Sequence, residues 1–351
     1  MKILLVGEFS GFFKNLKIGF EYLGHNVILM AGSDGWKKID GADISINSKL
    51  PSIFGQISTR LKYLLYAISI SKFDIIIIVN PNIGLKYISK LFAFLLKQKS
   101  ERIFLSACGT DVEYIRYGTE SKFEYWPYNN CDSTPFRSLS VHKNIVNIVN
   151  GIIPTFYDYA EPWRTSIYKY KVTKTIPLCI DTKNIKTYYP KLNGKIVFFH
   201  GLNRECFKGT KYIRTALENM QKKYPDEIEV VIDGKMPLKD YLELMQRVDV
   251  VVDQCKAYSY GSMNSLYALS MGKVLMAGFR QECKNEYNLE IIPKGIIHIE
   301  PSIFQIEEGI EYLIQNKNRL ASLGKGNRVF VEKYHDSKLI ASKYIESGVG
   351  I

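Results

Sequence analysis

The chain has no Cys-x-x-Cys pair; its six cysteines are scattered at 108, 131, 179, 206, 255 and 283. A zinc site or dithiol redox motif therefore has little support, and reduced thiols in a cytoplasmic protein are the simplest expectation. Histidine is scarce, with five in all. His25, His142, His298 and His335 lack partners at metal-ligand spacing, and no Asp-x-Asp pair ends a strand-like run, so no metal is expected. No stretch approaches the ~18 uncharged apolar residues of a membrane span. The apolar run at the start is too short for a secretory leader, and Glu8 interrupts it. It reads as a buried strand. Repeats and low-complexity tracts are absent to the eye.

What is present is ordinary in bulk. The 351 residues are 46% apolar and 23% charged, and mean hydropathy is near zero. This excludes a disordered or collagen-like chain and suits two domains. Two features stand out: a formal charge of +12 and 24 tyrosines. A basic balance suits nucleic acid, a membrane surface or phosphorylated small molecules, or merely reflects a lysine-rich composition. No nucleic-acid module is recognisable, so no nucleic-acid partner is expected.

Apolar runs and helical spacing alternate. Strands are expected at 2–6, 27–30, 74–79 and 102–105, with helices near 13–23 and 83–98. A second series has strands at 195–199, 227–232, 248–252 and 274–276, with helices near 210–222, 238–246 and 264–271. Runs apolar on every position are strands covered on both faces, the mark of parallel sheets. The expected fold is α/β: two doubly wound Rossmann-like domains facing a central cleft. The first spans 1–180, a polar linker 181–194, and the second 195–335. A last helix, 336–351, capped by Asp336 or Ser337, is expected to pack back on the first domain.

Ligands of such sheets lie beyond the strands' carboxyl ends. Gly7, Ser10 and Gly11 form a loop at a helix start, where backbone N–H groups suit an anion; a plain tight turn is the alternative. The spacing is not that of a dinucleotide fingerprint. His200, Gly201, Asn203, Arg204, Lys208 and Gly209 lie after the first strand of the second domain. Arg204 offers a fork for phosphate oxygens and Lys208 a point charge. Tyr258, Ser259, Tyr260, Gly261, Ser262 and Asn264 precede a helix and present hydroxyls. Met263, Leu266 and Leu269 read as core. In the first domain Gly109, Thr110 and Asp111 follow a strand. Asp111 is placed either to orient a sugar hydroxyl or to cap the next helix.

These segments resemble retaining glycosyltransferases of the GT-B fold, in particular the glycosyltransferase family 4 group that builds surface polysaccharides. Arg204 and Lys208-Gly209 match its R-x-x-K-G-like loop, and residues 268–273 its A-M-A-x-G-K-P-like tail. Residues 328–335 are similar to its penultimate helix. The resemblance implies transfer from a nucleotide-diphosphate sugar to a glycan or lipid-linked acceptor, without metal or cofactor. It assigns Arg204, Lys208 and Asp111 to the chemistry and puts Gly109 and Thr110 on the acceptor side. The family's two glutamates are missing. Tyr267 stands at the second and Ser259–Tyr260 near the first, so Glu282 or Glu286 in the next loop is a candidate replacement. A sugar-nucleotide epimerase and a non-catalytic binding subunit are the alternatives. Residues 51–100 carry seven basic residues and one acidic. Lys86, Lys90 and Lys97 fall within ~40° on a helix, which suggests contact with an anionic membrane surface at its cytoplasmic face.

Overall fold

The computed structural model describes residues 1–48, 50, 52–83, 85–191, 194–290 and 292–349. Parts of the expected linker (192–193), basic region (51 and 84) and last helix (350–351) thus lie outside the described residues.

The first unit contains strands β1 (Lys2–Val6), β2 (Asn26–Ala31), β3 (Ile44–Ser45), β4 (Ile75–Ile78), β5 (Ile103–Ala107) and β6 (Gly151–Pro154). Its helices are α1 (Phe12–Tyr22), α2 (Ser52–Ser69), α3 (Ser89–Lys97), α4 (Val112–Thr119), α5 (Leu139–Ile148) and α6 (Tyr157–Arg164). The second unit contains β7 (Ile196–Leu202), β8 (Ile228–Gly234), β9 (Val250–Val252), β10 (Val274–Ala277) and β11 (Ile296–His298). Helices α7 (Glu205–Lys208), α8 (Thr210–Lys223), α9 (Leu238–Arg247), α10 (Met263–Ser270), α11 (Gln281–Glu286), α12 (Ile303–Gln315), α13 (Leu320–His335) and α14 (Ser337–Tyr344) complete the chain.

The first sheet has the order β3-β2-β1-β4-β5-β6 and the second β11-β10-β9-β7-β8. Every pairing between these strands is parallel. These are the two doubly wound orders of nucleotide-binding α/β sheets. Their burial explains why they read so clearly: β1, β4, β5, β9 and β10 are buried almost throughout because helices cover both faces.

Each order reverses at one point, between β1 and β4 and between β7 and β9, and a crevice opens there at the carboxyl ends. The last helix returns to the first unit. Asp336 caps α14, accepting from the N–H groups of Lys338 and Leu339 at 3.0 and 3.3 Å. Tyr344 packs edge-on to Phe20 of α1 and shares a 2.9 Å hydrogen bond with Ser106 of β5. The contact needs Gly19: a Cβ there would lie 2.1 Å from the Ser337 carbonyl oxygen.

The helix expected over 83–98 begins only at Ser89. Tyr87 has φ +74°, a left-handed conformation that no helix interior accommodates.

Candidate active site

The cleft forms where the two switch points face each other. It encloses about 510 Å³, open to solvent. The first unit contributes Ser10, Trp36, Lys37 and Ile39; the second contributes Gly201, Leu202, Asn203, Lys208, Lys235, Met236, Leu238, Tyr241, Met263, Asn264 and Tyr267. Three lysines from three segments surround an apolar floor; Lys37 pairs with Asp34 and Lys208 with Asp253 behind it, and no carboxylate is among the described lining residues.

Asp253, directly after β9, organises one wall. It is fully buried, pairs with Lys208 Nζ at 2.9 Å and accepts from Ser265 Oγ at 2.8 Å and Asn264 Nδ2 at 3.0 Å. Ser262 Oγ, the α10 cap, also donates to it. Burial alone would raise its pKa, but the Lys208 ammonium and these donors win and hold the carboxyl well below its usual range. Lys208 Nζ also donates to the Gly201 carbonyl at 2.9 Å. Asp253 thereby fixes Lys208 and the first turn of α10, whose leading N–H groups have no intrahelical acceptor. Asp253 is not among the residues expected at the site from sequence.

Arg204 takes a different path from Lys208. Its guanidinium stacks 3.9 Å from the Phe207 ring centroid and reaches across to the first unit, donating to Thr110 Oγ1 at 3.4 Å. Thr110 Oγ1 is 2.8 Å from Tyr128 Oη, and Gly109 (φ +79°) packs against Phe9. Arg204 and Thr110 are thus brought together at the junction of the units, while Lys208 lines the cleft.

Tyr128 belongs to a strap, residues 122–131, that crosses from the first unit to the second. The Glu124 N–H donates to Tyr258 Oη at 2.9 Å. Lys256 Nζ donates to the carbonyls of Pro127 and Asn129 at 3.2 Å, and the Arg280 guanidinium lies over the Tyr125 and Tyr258 rings. The strap ends in a disulfide, Cys131–Cys206, with Cα atoms 5.7 Å apart. This corrects the expectation of six reduced thiols: two cysteines are bonded across the units, and Cys108, Cys179, Cys255 and Cys283 are buried and free.

The strap also corrects the reading of Tyr258, Ser259, Tyr260 and Gly261 as donor contacts. All four are buried: Tyr258 lies under the strap, while Tyr260 is enclosed by Phe279, Tyr287 and Phe330. Tyr258 N–H donates to Asp158 at 2.9 Å, and Tyr260 Oη is 2.7 Å from His335 Nε2. None of the four lines the cleft.

The first loop needs the same correction. The N-terminus of α1 is filled by the protein's own Glu8, whose carboxylate accepts from the N–H groups of Gly11 at 2.9 Å and Lys14 at 2.8 Å. Gly7 and Gly11 therefore offer no free anion cradle. Gly7 serves close packing, since a Cβ there would lie 2.7 Å from Val79. Ser10 does reach the cleft, accepting from Lys37 Nζ at 2.8 Å.

Burial pushes the Glu8 carboxyl up to about 7. Its unfolded value lies near 4.5, so the native state holds the extra proton between these limits. The contribution is present in full below pH 4.5 and is lost as pH rises through 7. We expect Glu8→Gln to remove a stability decline of order 3 kcal/mol across that window, read by urea melts at pH 5 and 7.5. A wild-type slope retained by the variant would contradict the assignment.

Tyr267, at the second glutamate position, lines the cleft, but its hydroxyl is turned across the junction. A Cβ on Gly11 would lie 2.5 Å from it, so Gly11 (φ +88°) makes room for the tyrosine.

Three further assignments change. His200 is fully buried, with Nδ1 2.8 Å from the Val252 carbonyl oxygen and Nε2 2.9 Å from Thr210 Oγ1. Burial lowers its pKa to about 4, so it ties β7 to β9 as a neutral ring and does not line the cleft. Asp111 is the buried cap of α4, accepting from the Tyr114 N–H at 2.8 Å and Trp163 Nε1 at 3.0 Å. Both oxygens are engaged within the fold, the capping alternative offered by the sequence. Glu282 lines a separate hollow with Tyr157, Arg164 and Lys174. Glu286 is held there by Arg164 Nη1 and Nη2 at 2.7 and 2.6 Å. Neither lines the cleft. Gly209 (φ +77°) packs a Cβ-less face on Cys255, and Gly201, Asn203 and Asn264 remain at the cleft. Among the described residues no group of three His, Cys, Asp or Glu is placed to hold a metal ion.

No family model and no curated protein matches the sequence. Solved structures do match the fold. Sucrose-phosphate synthase from Thermosynechococcus elongatus superposes with a TM-score of 0.65 at 13% identity, over 99% of this chain and 98% of that one. An alpha-glucosyltransferase in complex with UDP-glucose and DNA containing an abasic site gives 0.66 at 12%, over 100% and 99%. HepE of Anabaena, in complex with UDP and glucose, gives 0.62 at 12%, over the whole of both chains. With its two facing doubly wound sheets, the chain has the GT-B fold.

Proposed function

We propose that the protein transfers a sugar from a nucleotide-diphosphate sugar to a glycan or lipid-linked saccharide, with retention and without a metal. The observation that carries this reading is the cleft itself. Lys37, Lys208 and Lys235 surround an apolar floor of Met236, Leu238 and Tyr241, at the start of α9 and beside the first turn of α10. Such a site suits an anionic diphosphate joined to a flat base.

In this scheme Lys208 and the α10 N-terminus neutralise charge developing on the leaving diphosphate. Arg204, at the junction with Thr110, acts on the sugar side where the acceptor enters. The leaving phosphate takes up the acceptor proton. Arg204→Ala is expected to lower turnover by ~10²–10³-fold, measured as acceptor-dependent release of nucleoside diphosphate. Unchanged turnover would overturn the scheme.

A further inference from the structure

The solvent face of α2 is apolar, the reverse of what a surface helix of a globular protein shows. Ile53, Phe54, Ile57, Leu61, Leu65 and Ile68 lie on it, with Phe54 71% and Leu65 64% exposed. At 100° per residue they occupy one stripe about 120° wide. The opposite face holds the helix to the protein: Tyr63 and Ala67 are buried with residues of β1 and β4. The stripe therefore is not needed to fasten α2.

Helix α3 lies beside it, the Tyr63 and Phe92 rings meeting edge-on at 5.3 Å, and adds exposed Leu91 and Phe94. Tyr87, 81% exposed, lies between Arg60 of α2 and Lys86, whose cationic groups are 5.4 and 5.0 Å from its ring centre. Lys90 and Lys97 are exposed on the adjoining flank of α3. Residues 51–100 carry one acidic residue, Asp74, against seven basic ones.

We propose that the α2–α3 face docks on an anionic lipid bilayer, the apolar stripe entering the acyl boundary and the flanking cations meeting headgroup phosphates. An exposed apolar patch of this size marks an interaction surface. The charge selects the occupant: two copies face to face would set like charges against each other, whereas anionic headgroups complement them. No helix among the described residues is long and apolar enough to cross a membrane, so contact is in the interfacial plane. The inference rests on the proposed function only in that a lipid-linked acceptor would be met at this surface.

The test is co-sedimentation of the full chain with vesicles of phosphatidylcholine alone and with added phosphatidylglycerol. Binding is expected to be at least about tenfold tighter to the anionic vesicles and to weaken with salt. Leu61→Asp with Leu65→Asp, and separately Lys90→Glu with Lys97→Glu, should each reduce it at least about tenfold, with UDP-glucose binding and melting temperature unchanged. Equal binding to both vesicle types, no binding to either, or variants that bind like wild type would overturn the proposal. So would a wild-type dimer that Leu61→Asp with Leu65→Asp dissociates. Loss of UDP-glucose binding in the wild type would count against the proposed function and leave the docking result standing.

Discussion

Asp253→Ala is expected to cost about 3–5 kcal/mol of folding stability, the scale for breaking a buried ion pair. The substitution leaves the Lys208 ammonium, itself buried, with only the Gly201 carbonyl for a partner. It also strips the acceptor from Ser262, Ser265 and Asn264 at once. Burial of an unpaired charge makes the loss larger than the net worth of the pair. The pH dependence has a definite sign. The depressed carboxyl contributes stability present above its unfolded pKa of 3.8 and lost as pH falls further. Urea denaturation at pH 7 would read the loss as a lower midpoint. A variant within about 1 kcal/mol of wild type would contradict the central role given to Asp253.

Reduction of Cys131–Cys206 is the second large effect. The bond closes a loop with a sequence separation of 75 residues, for which the chain-entropy account gives about 4 kcal/mol. It also anchors the strap whose Tyr128 ring packs on Phe207. The four remaining cysteines are free thiols, so a phosphine reductant acts on this bond alone. We expect the melting temperature to fall by roughly 5 °C or more, and Cys131→Ser with Cys206→Ser to reproduce the fall and abolish the response to reductant. A melting temperature indifferent to reductant would show that the bond does not hold the units in the protein as it exists.

Both effects fall on features that local sequence reading handles poorly. The parallel strands were legible because burial on both faces writes continuous apolar runs such as Ile75–Ile78. Short or mixed elements such as β3 and β6, Ile44–Ser45 and Gly151–Pro154, leave no such trace. At the site, Lys208, Gly201, Asn203, Asn264 and Tyr267 were legible as cleft residues because they follow strand ends or open a helix. Tyr258 and Tyr260 resemble ligand contacts in sequence. A strap more than a hundred residues away covers Tyr258, Phe330 and His335 near the far end of the chain enclose Tyr260, and no local pattern records either. Glu8 was unreadable for a related reason: its carboxylate occupies the helix terminus that glycine spacing advertises as vacant. Asp253 did carry a signal. An acid directly after an apolar strand, followed within a dozen residues by Ser262, Asn264 and Ser265, is placed to collect a helix start.

The central claim is that the lysine-rimmed cleft holds a nucleotide-diphosphate sugar. Calorimetric titration of UDP-glucose into the oxidised protein tests it most directly, with Lys235→Glu as the paired variant. Lys235 lines the cleft and is exposed, so reversing its charge leaves the fold intact. The account predicts saturable one-to-one binding, competed by UDP and weakened at least about tenfold by Lys235→Glu, since each lost tenfold is about 1.4 kcal/mol. No heat of binding at millimolar UDP-glucose, or equal affinity in the variant, would contradict it.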